Sequence, residues 1–477
     1  MTGSSSAADA GNGGNPDLVV IGAGSAGFSA AIAAAQQGAQ VSLIGHGTIG
    51  GTCVNVGCVP SKTMIRAAEA LHGARAADRF AGITGEAQVM NWQEVVEAKD
   101  SLVESLRQKK YIDLLQEYDG VSYLEGAAQL NDRGVIVNGV TIPAGKIIIA
   151  TGSTPSLPDI TGIASTPYLT STSALELTEL PRSLLVIGGG YIGCELAQMF
   201  ARSGVAITLA TRSRLLPEAE PEISEALTEY FEAEGITVLA GLSYRDIAMT
   251  GNGVVLSFEK DGAVETIVAE QVLLTTGRKP NTEGLGLKDA GISFTPKGGI
   301  DVDDRMRTSK KGVYAAGDVT GQDQFVYMAA YGAKLAALNA LNGDSLIYDN
   351  SAMPWVVFTD PQLAGVGLSE TAAVEAEYET KVSIVPLDQV PRALAARDTR
   401  GLIKLVADAK TDRLLGAQIL APEGADSIQT MVLALKHGMT AKALGETIFP
   451  YLTTVEGLKL AAQTFDMDVG MLSCCAG

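Results

Sequence analysis

Residues 51–62 read Gly-Thr-Cys-Val-Asn-Val-Gly-Cys-Val-Pro-Ser-Lys, and the rest of the chain is organised around them. Cys53 and Cys58, two of only five cysteines, stand with four residues between them among Gly51, Gly57 and Pro60. Two thiols this near in sequence can close a small ring, whose disulfide stores strain and reopens easily. Pro60 suits the first position of a helix, which puts Cys58 near a helix N-terminus, where backbone N–H groups favour thiolate over thiol. The pattern is that of a redox-active pair. A structural bridge, half a zinc site and two core cysteines are the competing readings. The scarcity of further cysteines argues against a bridge framework, and zinc usually wants a second pair.

Working outward, the 477-residue chain is too long for one core, and about three domains are expected at ~150 residues each. Hydrophobic residues make up 46%, aromatics only 5%, and there are 54 glycines, a balance suited to an α/β protein with close helix–sheet contacts. The net charge of −19 disfavours nucleic acid as a partner. No apolar run reaches the ~18 residues needed to span a bilayer. Residues 1–15 lack a basic start and an apolar stretch, so the expectation is a flexible leader and not a secretion signal.

Upstream of the cysteines, Asp17–Ile21 reads as a strand, Gly22-Ala23-Gly24-Ser25-Ala26-Gly27 as a phosphate turn, and an alanine-rich helix follows to about Gln37, with a second strand at Val41–Ile44. In that setting the G-x-G-x-x-G turn presents a helix N-terminus to a pyrophosphate. The acidic residue expected at the end of the second strand is missing: its place is Gly45. The alternatives are His46 or a water in its place, or looser binding, in which case a Gly45→Glu change is expected to tighten it. The same unit recurs at Ser183–Ile187, Gly188-Gly189-Gly190-Tyr191-Ile192-Gly193, a helix through Glu195–Ala201 and a strand at Ala206–Ala210. Two such units imply two nucleotides. After the second comes Thr211-Arg212-Ser213-Arg214, with no carboxylate; Arg212 and Arg214 suit the 2′-phosphate of NADPH, the alternative being solvated surface charges. Helical periodicity also runs from Ser61 to about Ala77 and across Trp92–Tyr118.

The stretch around Cys53 and Cys58, the two fingerprints and Val313-Tyr314-Ala315-Ala316-Gly317-Asp318 together resemble the FAD-dependent disulfide oxidoreductases, from about Pro16 to Gly477. The resemblance implies two Rossmann-like dinucleotide-binding domains, for FAD and NADPH, and a C-terminal α+β dimerisation domain. The implied division is 16–153 and 279–350 for FAD, 154–278 for NADPH and 351–477 for the homodimer contact. It implies that Cys53 exchanges with substrate while Cys58 lies against the flavin. Gly22, Gly24, Ala26, Gly27, Gly51, Thr52, Lys62, Thr151, Gly152 and Asp318 would hold FAD, and Gly188, Gly190, Gly193, Arg212, Arg214 and Arg278 would hold NADPH. Lys62 would pair with Glu195, and the Tyr191 ring would yield to the nicotinamide; a plain structural ion pair and a plain N-cap aspartate at 318 are the alternatives.

Two features of the far end depart from the disulfide-reducing members. Where those carry a histidine as acid–base, this chain has Tyr451 in Phe449-Pro450-Tyr451, and a phenol near pKa 10 serves poorly as a base at neutral pH. The chain ends Ser473-Cys474-Cys475-Ala476-Gly477, and adjacent cysteines are soft ligands for a soft metal. The alternatives are a tail with incidental thiols and a tail disulfide acting as a relay. With the redox pair, these features resemble the Hg(II)-reducing branch of the family, without the small N-terminal metal-binding domain some members carry. The implied activity is cytoplasmic, NADPH- and FAD-dependent reduction of Hg(II) to Hg(0), the metal passing from Cys474 and Cys475 of one subunit to Cys53 and Cys58 of the other, with Tyr451 and Tyr191 bordering the path. The rival readings are a disulfide reductase of the glutathione reductase or lipoamide dehydrogenase type, and a flavoprotein that sequesters soft metal. Cys194 reads as core.

Overall fold

The computed structural model describes residues 15–467, and these fall into two compact units. The first is built from residues up to 53, 106–154 and 279–348; the second from 54–105, 155–278 and 349 onward. Cys474 and Cys475 lie outside the described residues.

The first unit centres on a parallel sheet ordered Val313–Ala315, Ile147–Ile149, Leu18–Ile21, Val41–Gly45, Val121–Glu125. Its inner strands are unbroken apolar runs because both faces are covered, so every residue of Leu18–Ile21 and Ile147–Ile149 is buried. On one face the helices Ser25–Ala35 and Val326–Asn342 meet through alanines, among them Ala30, Ala34, Ala333 and Ala337. These small side chains let the two backbones come so close that Ser29 Oγ donates to the Ala330 carbonyl at 2.7 Å. The opposite face is closed by Leu130, Val135, Leu285 and Ile292.

The second unit holds another parallel sheet, ordered Thr237–Leu239, Ala206–Ala210, Ser183–Ile187, Gln271–Leu274, Leu169–Thr170, and a three-stranded meander over residues 243–269. From residue 354 a five-stranded antiparallel sheet follows, backed by the helices Gly424–Lys436, Ala441–Glu446 and Glu456–Gln463. The expected architecture, two dinucleotide folds and a C-terminal α+β sheet, is present. The helix opened by Cys58 runs Cys58–Arg75 and packs on Tyr191–Arg202, the helix of the second glycine turn. Met64, Ile65 and Ala68 share one apolar cluster with Cys194, Ala197 and Phe200.

Three expectations need adjustment. Pro60 is the third residue of its helix, with Cys58 first and Gly57 the N-cap, so the cysteine sits nearer the exposed N–H groups than Pro60 at the first position would place it. The span Trp92–Tyr118 is not one helix: Trp92–Arg107 gives way to a π turn at Gln108–Ile112 and a last turn at Asp113–Leu115. Asp318 is no cap for the long helix after it, which begins at Val326.

A buried ion cluster pins the far end of the Tyr191–Arg202 helix. Arg202, 4% exposed, donates from Nε and Nη2 to Glu234 at 2.8 and 2.6 Å and from Nη1 to Asp360 at 2.8 Å. Arg400 also reaches Glu234 and Asp360, at 3.3 Å each, and binds Asp398 at 2.8 Å. Burial works against the Arg202 charge, but the hydrogen bonds and charges of Glu234 and Asp360 outweigh it and hold the guanidinium above its ordinary value. Removing one partner from a buried pair leaves uncompensated charge, which costs about 3–5 kcal/mol. Because Arg400 remains, Arg202→Met is expected to cost about 3 kcal/mol, read as a lower melting temperature; an unchanged melting curve would show that the cluster contributes nothing net.

Candidate active site

In each unit the glycine turn has one geometry used twice. Gly22 and Gly188 both take φ +118°, a left-handed conformation that glycine alone adopts without strain. A Cβ at Gly22 would lie 2.1 Å from the Ala150 carbonyl oxygen, and one at Gly188 would lie 2.5 Å from that of Thr275. The third glycine of each fingerprint sits under the carbonyl of the first: a Cβ on Gly27 would fall 1.7 Å from Gly22 O, and one on Gly193 1.9 Å from Gly188 O. The middle glycines, Gly24 and Gly190, are the N-caps, and neither helix has a side-chain cap. Both helix N-termini thus present backbone N–H groups to an anion, the arrangement a pyrophosphate takes.

Around the first turn the cradle is tight. Gly50 N–H donates to the Ala23 carbonyl at 2.8 Å, and a Cβ on Gly51 (φ +68°) would come 2.6 Å from Gly24 Cα. Thr151 and Gly152 are held by one residue that sequence reasoning missed, Asn281: Thr151 Oγ1 donates to its carbonyl at 2.7 Å, its Nδ2 donates to Thr151 O at 2.9 Å, and its N–H to Gly152 O at 2.9 Å. Asp318 opens a short 3₁₀ turn, Asp318–Thr320, and its Oδ2 accepts from Ser153 Oγ at 2.6 Å, which orients the carboxylate; Ser153 was likewise not foreseen. Ala26 is buried, with Gly317 beside it. Glycines at 22, 27 and 51 that leave no room for a Cβ, an uncapped helix and an oriented carboxylate fit FAD.

In the second unit Lys62 Nζ donates to Glu195 Oε2 at 2.7 Å, joining the Cys58–Arg75 helix to the helix of the second fingerprint. Glu195 is 5% exposed, and its other oxygen accepts from the Phe358 N–H at 2.9 Å, so both oxygens are occupied. The Lys62 ammonium also stands 4.9 Å from the centre of the Phe358 ring, a cation–π contact. Tyr191, first residue of its helix, rests its ring against Trp355, centroids 5.8 Å apart. Phe358 and Trp355 carry no local motif, and only the fold brings them to Lys62 and Tyr191.

Arg212 is exposed; Arg214 is half-buried and donates from Nη2 to the carbonyls of Pro217 and Ala219 at 2.8 and 2.6 Å. Its buried Nη1 has no hydrogen-bond partner among the described residues. An unsatisfied buried donor is costly, and a phosphate would satisfy it. Arg214→Gln is expected to raise the KM for NADPH roughly tenfold while moving that for NADH little, which steady-state kinetics with both nucleotides would show; equal effects on the two would remove the 2′-phosphate role.

Cys53 lies in a short helix, Gly51–Asn55, with Thr52 beside it, and is half-buried; Cys58 is exposed at the start of the next helix. Cys194, by contrast, is wholly buried, its Sγ 3.5 Å from the Gly189 carbonyl. Burial, reinforced by the Glu195 charge, pushes its thiol far above the ordinary range. At the far end Tyr451 is 48% exposed, and the buried Glu456 accepts the Leu452 N–H at 3.0 Å. Arg278 begins the strand Arg278–Pro280. Among the described residues no cluster of three or more potential metal ligands occurs, and no helix is long and apolar enough to cross a membrane.

Two uncapped dinucleotide turns, a carboxylate oriented by Ser153 and a cysteine at a helix start are the pattern of a flavin- and nicotinamide-dependent thiol oxidoreductase. Residues 16–337 match the pyridine nucleotide-disulphide oxidoreductases and residues 353–462 match their dimerisation domain, and the chain belongs to that family. Within it, the chain is 46% identical over 97% of its length to the mercuric reductase of Staphylococcus aureus, covering 85% of that protein, and 45% identical over 97% to that of Streptomyces lividans, covering 98%. Among solved structures it is similar to the HOCl-induced flavoprotein disulfide reductase RclA from Escherichia coli, with a TM-score of 0.82 and 29% identity over 94% of this chain and 99% of that one.

Proposed function

We infer that the chain is an NADPH-dependent flavoprotein reductase that converts Hg(II) to elemental mercury. The observation that carries this is the near-full-length identity of 45–46% to mercuric reductases, joined to Cys58 at a helix start with Cys53 in the short helix before it.

FAD would be held by Gly22, Gly24, Ala26, Gly27, Gly51, Thr52, Lys62, Thr151, Gly152 and Asp318, and NADPH by Gly188, Gly190, Gly193, Arg212, Arg214 and Arg278. When bound, FAD accepts a hydride from NADPH and supplies the electron pair that takes thiolate-held Hg(II) to Hg(0). The chain's own residues do the rest. Cys58 at the first position of its helix is favoured as thiolate, and Cys53 supplies the second sulfur. Lys62, held by Glu195 and the Phe358 ring, would supply a fixed positive charge to bound FAD. Tyr191, whose ring rests against Trp355, would yield to the nicotinamide of NADPH. Tyr451, where disulfide reductases keep an acid–base histidine, leaves dithiol interchange without a base at neutral pH. We assign metal capture to Cys474 and Cys475 of the partner subunit in the homodimer, so that mercury moves by exchange of one pair of sulfurs for another and is never free. The reaction is placed in the cytoplasm, where NADPH and small thiols are plentiful.

The test is NADPH oxidation in excess thiol with and without Hg(II), with elemental mercury vapour collected. Metal-dependent oxidation with vapour release is expected. Turnover of disulfides with no vapour would transfer the assignment to a disulfide reductase.

A further inference from the structure

Gly45 ends the second strand of the first unit, where the dinucleotide fingerprint normally has a carboxylate for the adenosine ribose. The space above it is filled. A Cβ on residue 45 would lie 2.5 Å from Tyr123 Oη, 2.8 Å from Tyr123 Cε2 and 2.7 Å from the Ala23 Cβ. Tyr123 comes from the neighbouring strand, Val121–Glu125, where it pairs with Leu43, so its side chain shares the face of Leu43 and Gly45. Because residue 45 has no side chain, the Tyr123 ring runs along the sheet to the carboxyl edge and brings its hydroxyl beside Ala23, inside the first glycine turn. Nothing among the described residues hydrogen-bonds that hydroxyl.

We propose that Tyr123 is the adenosine-ribose ligand of FAD in this chain, its phenol standing where the family fingerprint places a carboxylate. The inference rests on FAD occupying the first unit's cradle. Burial, with the Glu125 charge adding, keeps the phenol protonated well past neutrality, so it can both donate to and accept from a ribose hydroxyl. The absence of the acidic residue is then a paired exchange: glycine at 45 makes room for tyrosine at 123. It also reverses the expectation for Gly45→Glu, whose new side chain would collide with the ring and displace the hydroxyl.

The experiment titrates apoprotein with FAD and follows flavin fluorescence. Tyr123→Phe keeps the ring and its packing but removes the hydroxyl; the FAD dissociation constant is expected to rise roughly five- to tenfold, with the melting temperature of the apoprotein unchanged. Gly45→Glu should weaken binding further. A Tyr123→Phe protein that binds FAD like the parent overturns the proposal. Parent protein that releases no FAD on heating would instead defeat the cofactor reading beneath it.

Discussion

Replacing Cys58 or Cys53 by alanine is expected to lower Hg(II)-dependent NADPH oxidation by roughly a thousandfold or more. Two-coordinate mercury needs both sulfurs, and a lone thiolate must share the metal with a solution thiol that competes for it at millimolar concentration. Cys58 stands first in the Cys58–Arg75 helix, behind an N-cap, Gly57, that offers no side chain of its own, so the helix end acts on the cysteine. Reduction of an artificial acceptor such as ferricyanide draws electrons without passing through a thiol. Its persistence in the variants would report that FAD and NADPH are still in place. If either single variant released mercury vapour at the parent rate in excess thiol, the pair would not be the site of reduction.

The second large effect falls on the terminal cysteines. With Cys474→Ala and Cys475→Ala together, turnover of thiol-bound Hg(II) is expected to drop on the order of a hundredfold, because tethering two ligands raises their effective concentration by about that much over free thiol. The defect should deepen as added thiol rises, since each added equivalent competes with sites that have lost their feeder. Rates measured across a thiol series would show it. A flat series at the parent rate would mean that mercury reaches Cys53 and Cys58 unaided.

What the sequence made legible is what contiguous residues encode. Both glycine turns were visible because positive φ and close backbone approach restrict single positions, Gly22 and Gly188 above all, whatever lies elsewhere. The apolar runs Leu18–Ile21 and Ser183–Ile187 were legible as strands because the residues of a parallel sheet are buried on both faces. The pairing of Lys62 with Glu195 was expected only from resemblance, since a separation of 133 residues leaves no local trace. Long-range partners were out of reach for the same reason. Ser153 is 165 residues from Asp318, Arg202 is 158 from Asp360, and Tyr123 occupies the space at Gly45 from another strand. Composition shows a missing carboxylate; only packing shows what filled the gap. Position within the first helical turn was also beyond local reasoning, since proline is accepted at more than one of its places, and Pro60 took the third.

Cys194 has a consequence for an enzyme whose substrate is itself a thiol poison. Of the five cysteines, four come as pairs in the sequence, and this one stands alone inside the helix of the second glycine turn. Sealed from solvent and kept protonated, it offers mercury no foothold. Packing thus withholds this one thiol from a thiol-seeking substrate, and among the described residues leaves Cys53 and Cys58 as the cysteines a mercuric ion can reach.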